Sequence, residues 1–109
     1  MIIPGKNGEV ARWTTPSIHY KPREAVPADI VEIELTLKQM GKVVVRMGKD
    51  DAQSLEDGFL WHLGQEQTAQ LVRTATMFVQ IDYKTVNGQR YTTRAQEYVV
   101  SDSAVNEVI

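Results

Sequence analysis

The chain has 109 residues, 42% of them apolar and 24% charged. These are the proportions of one globular domain around one core, which excludes a disordered chain. Twelve Lys and Arg against fourteen Asp and Glu leave a net charge of −2, and cysteine is absent. That balance gives no argument for nucleic acid, which demands a clustered basic surface, and the lack of cysteine excludes disulfides, thiolate nucleophiles, iron–sulfur clusters and Cys-ligated zinc.

At the N-terminus, Met-Ile-Ile-Pro-Gly-Lys-Asn-Gly offers two consecutive apolar residues before Pro4. A secretory signal needs roughly 7–15 and a membrane span roughly 18, so a cytoplasmic, membrane-free protein is expected. Residues 1–12 read as a loosely held leader with turn dipeptides at Pro4-Gly5 and Asn7-Gly8. Thr14 to Tyr20 is rich in β-formers. Ile18 and Tyr20 fall on one face, Ser17 and His19 on the other. Pro16 and Pro22 fence this segment, which suits an edge strand because proline donates nothing to a ladder.

From Val31 to Lys38 the chain reads Val-Glu-Ile-Glu-Leu-Thr-Leu-Lys. Val31, Ile33, Leu35 and Leu37 face one way, and Glu32, Glu34, Thr36 and Lys38 the other. Strict period two predicts a half-buried strand. Four such side chains supply roughly 6–12 kcal/mol of transfer free energy before entropy is subtracted. Gln39-Met40-Gly41-Lys42 predicts a tight turn with Gly41 at positive φ, and Val43 to Met47 returns as its partner.

Gly48 to Gly58 is polar and acidic, a loop or short edge excursion. Phe59, Trp61 and Leu63 alternate as a third core strand, and Gly64 to Leu71 suits one or two helical turns. Val79, Ile81 and Tyr83 define another strand within Thr76–Lys84. Asn87-Gly88 predicts a type I′ hairpin whose returning strand runs to Val100. The sum is an all-β fold: an antiparallel two-layer β-sandwich (immunoglobulin-like) with one short helical crossover near residues 65–72. A single domain over 13–103 follows the leader, and 104–109 form a tail.

Chemistry is sparse. His19 and His62 stand apart in sequence, each read as an ordinary histidine. Asp50-Asp51 and Glu56-Asp57 lack the spaced loop of a Ca²⁺ site, so they read as solvated. Glu32 and Glu34 share a polar strand face, which yields paired carboxylates without a cleft. Gly5 and Gly8 lack the flanking strand and helix of a phosphate loop, and Ser17, Ser54, Ser101 and Ser103 lack an elbow motif. No catalytic residue, metal ligand or cofactor is assigned. Trp61 reads as core. Trp13, in the leader beside Arg12, reads either as an interface anchor or as a ring folded back onto the sandwich.

The middle and C-terminal half carry a recognisable order of pieces. Leu37-Lys38-Gln39 and Gly41-Lys42-Val43 precede an acidic loop and Leu63-Gly64-Gln65-Glu66-Gln67-Thr68. Val79-Gln80-Ile81, Asn87-Gly88 and Val105-Asn106-Glu107-Val108-Ile109 follow. Over residues 30–109 this succession resembles small immunoglobulin-like structural proteins of tailed phages and prophages. It is similar to the N-terminal β-domains of phage baseplate upper proteins. The leader to Arg23 departs from that pattern. The resemblance implies a non-enzymatic virion component that binds copies of itself or neighbouring tail and baseplate proteins through sheet edges and extended termini. Trp13, Val105, Val108 and Ile109 are the expected partner-binding residues. The alternative is a carbohydrate- or other ligand-binding sandwich using Tyr20, Tyr91, Tyr98 or Trp61 as a stacking platform.

Overall fold

A computed structural model of the chain describes residues 9–73, 75–93 and 96–102. Alternating burial dictates its strands. The clearest case runs Met77–Thr85, where Met77, Val79, Ile81, Tyr83 and Thr85 are buried and the residues between them are not. In chain order the strands are β1 (Glu9–Arg12), β2 (Ser17–Tyr20), β3 (Ile30–Gln39), β4 (Lys42–Met47), β5 (Ala52–Ser54), β6 (Phe59–His62), β7 (Met77–Thr85), β8 (Arg90–Thr92) and β9 (Gln96–Asp102). One short helix, α1 (Gln65–Ala69), lies between β6 and β7.

The strands form two layers. One sheet has the order β1-β9-β7-β3-β4, with β8 also paired to β7; the other has the order β2-β6-β5. Ile33, Leu35, Leu37, Val79, Ile81 and Tyr83 of the large sheet share one core with Ile18, Tyr20, Phe59 and Trp61 of the small one. The expected all-β sandwich with a helical crossover is therefore present. Its crossover is α1, followed by the buried Leu71.

Several expectations need correction. The large sheet is mixed, because β1 pairs with β9 in parallel, Val10 beside Val100. Over Glu9–Arg12 the expected leader is thus a strand, and Val10 is a core residue. Val31 does not join the core face. The ladder with β7 slips between Ile30 and Glu32, so Ile30 is buried and Val31 turns outward. One extra residue in a ladder moves every side chain before it to the other face.

Of the two turns, the first is the expected tight turn with Gly41 at positive φ, and the second differs from expectation. Met40 (φ 50°) and Gly41 (φ 75°) both adopt positive φ between paired Gln39 and Lys42, the signature of type I′. At the other hairpin only Gly88 does (φ 82°), and its N–H donates to the Thr85 carbonyl at 2.9 Å. That is a three-residue loop ending in a left-handed glycine, not the expected type I′. The returning segment is divided between β8, which pairs with residues 82–84 of β7, and β9, which pairs with residues 77–79.

Two buried polar side chains fasten the α1 region. Gln39 Nε2 donates to the carbonyls of Val72 (2.9 Å) and Ala75 (3.1 Å), and Val72 N–H donates to Gln39 Oε1 (2.6 Å). Thr68 Oγ1 donates to the Thr14 carbonyl at 2.8 Å.

Candidate functional site

A sheet strand has two sides, and most of the long strands here use both. β3 lies between β7 and β4, and β9 lies between β7 and β1. β4 pairs with β3 alone, and among the described residues none of its backbone groups bonds to another segment on the outer side. Its alternate N–H and C=O groups on that side are therefore open to water or to a partner strand.

The other edges differ. β1 is backed by α1, with Arg12 Nη2 donating to the Ala69 carbonyl at 2.9 Å. β5 has three residues, and β2 is four residues fenced by Pro16 and Pro22. β4 is the longest open edge among the described residues.

Local chemistry shapes that edge. Val45 and Met47 point into the core, while Arg46 points out and meets Glu34 Oε1 at 3.1 Å. The ladder with β3 shifts between Leu37 and Lys38, because Lys38 pairs with Val43 and Leu37 with Val45. Val44 is the extra residue, a bulge of the kind that defends an edge. Val43 remains 44% exposed, and Met40 at the hairpin tip 68%. Lys42 and Lys38 have no carboxylate within ion-pair distance among the described residues.

The outer face of the small sheet gathers residues that look isolated in sequence. Pairing of β2 with β6 sets Ser17 opposite His62 and His19 opposite Leu60. The two histidines therefore share one face instead of standing alone. Ser17 Oγ and His62 Nδ1 are 2.8 Å apart. His19 Nε2 lies 3.4 Å from Asp57 Oδ1, an ion-pair distance, although this nitrogen makes no hydrogen bond. Lys21 Nζ holds Asp57 Oδ2 at 3.2 Å, and Lys21, then His19, keeps the Asp57 carboxyl below its usual range. Among the described residues no carboxylate meets His62, so serine–histidine and histidine–aspartate contacts exist but fall on different histidines.

An open groove of about 700 Å³ runs along Glu32, Glu34, Lys49, Asp82, Lys84 and Arg90. Carboxylates and cations alternate there, and Lys49 Nζ is already engaged by the Ile30 carbonyl at 3.0 Å. Asp51 accepts from the Gly48 N–H at 2.8 Å. Among the described residues no three His, Cys, Asp or Glu side chains converge as metal ligands.

Of the expected partner-binding residues, Trp13 is half-buried at a left-handed backbone position (φ 65°) between β1 and β2. Val105, Val108 and Ile109 lie outside the described residues, as do Pro4-Gly5, Asn7-Gly8 and the 104–109 tail. Of the stacking-platform residues, Trp61 is fully buried with its indole N–H on the Gly48 carbonyl (3.0 Å), and Tyr20 is buried against Tyr83. Tyr91 and Tyr98 are half-buried, each with its hydroxyl on a glutamine of its own segment, Gln89 and Gln96.

Sequence reasoning passed over Gln39. Its signal was present: the beat of Ile33, Leu35 and Leu37 reaches position 39, so glutamine there sits on the core face and needs partners. Among the described residues no helix is long and apolar enough to cross a membrane. No family model matches the chain, and neither a curated protein nor a solved structure does.

Proposed function

We propose that this chain is a non-enzymatic assembly module that joins other proteins through the outer edge of β4. Its proposed setting is the tail or baseplate of a tailed phage or prophage. The observation that carries the reading is the unpaired six-residue edge of β4, with Val43 and Met40 exposed beside it. An extended segment laid there gains main-chain hydrogen bonds from the open ladder and apolar contact from those side chains. The virion setting rests on the order of motifs from Leu37 to Ile109 described above.

Sedimentation velocity of the chain, alone and mixed with the products of neighbouring genes, tests this reading. A complex is expected that Val43→Asp weakens; removal of residues 104–109 and Trp13→Ala probe the two further docking elements. A strict monomer that binds none of those products sinks it.

A further inference from the structure

We infer that the outer face of the large sheet is a homodimer interface centred on Phe78, in which Lys38 of each copy meets Glu97 of the other. This surface is separate from the β4 edge, and the inference does not rest on the edge reading. Phe78 sits between its two ladder partners, Lys38 of β3 and Glu97 of β9. Residues paired across a ladder share a face, and the neighbours Met77 and Val79 point into the core, so this row of three faces outward. Phe78 is half-buried yet takes no part in the core cluster. Strands lie about 4.8 Å apart, which sets a cation on one side of the ring and a carboxylate on the other. Among the described residues neither Lys38 nor Glu97 has an ion-pair partner.

An aromatic ring flanked by one cation and one carboxylate is complementary to its own image. A two-fold axis running along β7 over Phe78 stacks Phe78 on Phe78 and exchanges the flanks. Lys38 then lies against Glu97 of the second copy, and Glu97 against its Lys38. A symmetric dimer needs a patch that matches itself in this way, whereas a foreign partner places no such condition on it. The same rotation carries Val99, 62% exposed and two residues beyond Glu97, towards Met40, 68% exposed and two residues beyond Lys38. Stacking of two sheets with strands nearly aligned is an ordinary packing. The patch is small beside a standard interface of roughly 20–30 residues a side, so a weak, concentration-dependent dimer is expected.

Sedimentation velocity of the full chain, from low to high micromolar concentration, tests this with Lys38→Glu and Glu97→Lys as probes. Each variant alone sets like charges together at both symmetric contacts. Each is expected to weaken dimerisation by about tenfold, two exposed ion pairs being worth about that factor. The two variants mixed are expected to recover the parent's association, because the acidic flanks of one meet the basic flanks of the other. Recovery also shows that both variants are folded. The exchange Lys38→Glu/Glu97→Lys within one chain restores association as well. A parent chain that stays monomeric throughout overturns the inference and leaves binding of other proteins at β4 untouched. A parent dimer that either single variant leaves unchanged overturns it too, since association then runs through another surface. Weakening by both variants with no recovery in the mixture overturns it as well, because Lys38 and Glu97 would then not face one another.

Discussion

Gln39 and Val72 hold each other in both directions, side-chain amide to carbonyl at 2.9 Å and backbone N–H to side-chain oxygen at 2.6 Å. Gln39 is 1% exposed, and its amide also reaches Ala75. A core glutamine thus bonds the backbones of Val72 and Ala75, neither of which lies in a strand. Gln39→Leu keeps the volume but strips three hydrogen bonds, each worth about 0.5–1.5 kcal/mol net. A loss of about 2–4 kcal/mol is expected in urea unfolding, with faster amide exchange at Val72. Unchanged exchange there would show that the connection holds itself.

Met40 adopts a left-handed backbone at φ 50° with its side chain 68% exposed. A β-carbon in that region costs about 1–2 kcal/mol, a penalty asparagine offsets through its local hydrogen bonding. Little packing is lost on replacement. Met40→Asn is expected to raise stability by about 0.5–1 kcal/mol, read as a higher urea midpoint at constant m-value. A lower midpoint would mean that Met40 has packing this geometry does not reveal.

At Gly58 the constraint is space. A β-carbon there would lie 2.0 Å from the Tyr20 carbonyl oxygen, and backbone cannot step aside as a flexible side chain does. Gly58→Ala should cost about 1–3 kcal/mol, the usual range for forced overpacking, by prying β2 from the start of β6. Gly48→Ala is the control, because a β-carbon at Gly48 meets nothing within 4 Å. It should stay within about 0.5 kcal/mol of the parent. Equal effects at the two glycines would refute the steric account.

What was legible in the sequence is what depends on neighbours in the chain. The inside–outside beat of Phe59-Trp61-Leu63 and Val79-Ile81-Tyr83 needs no knowledge of the sheet partner, and those residues are core. β1 was not legible, because Val10 becomes a strand residue only by meeting Val100, across most of the chain. The same limit governs the candidate site. β4 could be read as a strand returning from a turn, but its place at the edge is a property of sheet order. Ser17 and His62 likewise meet only because β2 pairs with β6.

The slip at the start of β3 has a measurable consequence. Periodicity puts Val31 in the core, whereas the ladder buries Ile30 and leaves Val31 44% exposed. Val31→Thr should change stability by less than about 0.5 kcal/mol. Ile30→Ala should cost about 2–5 kcal/mol, since a buried isoleucine loses transfer energy and leaves a cavity. The reverse ranking in thermal or urea unfolding would restore the unbroken strand.

Tyr83 supplies the pH dependence. Its ring packs between Tyr20 and Tyr91, and its hydroxyl donates to Glu24 Oε2 at 2.8 Å. Burial first, then the bond to the Glu24 carboxylate, pushes its ionisation well above the ordinary phenol range. The raised group contributes its full stability below the unfolded phenol's pKa of roughly 10. Above that pH the unfolded chain sheds the proton while the folded chain keeps it, so stability falls as pH rises. Tyr83→Phe removes this proton, although it also loses the Glu24 bond and so starts lower at neutral pH. Between pH 10 and 11.5 its stability should therefore decline less steeply than the parent's, by up to about 1.4 kcal/mol per pH unit, the weight of one proton. Tyr98, also raised by burial, contributes equally to both proteins and cancels in the comparison; Tyr20, raised by burial but held down by its contact with Tyr83, rises further in the variant and offsets part of the difference. Parallel curves across that window would show that Tyr83 ionises as freely in the fold as outside it.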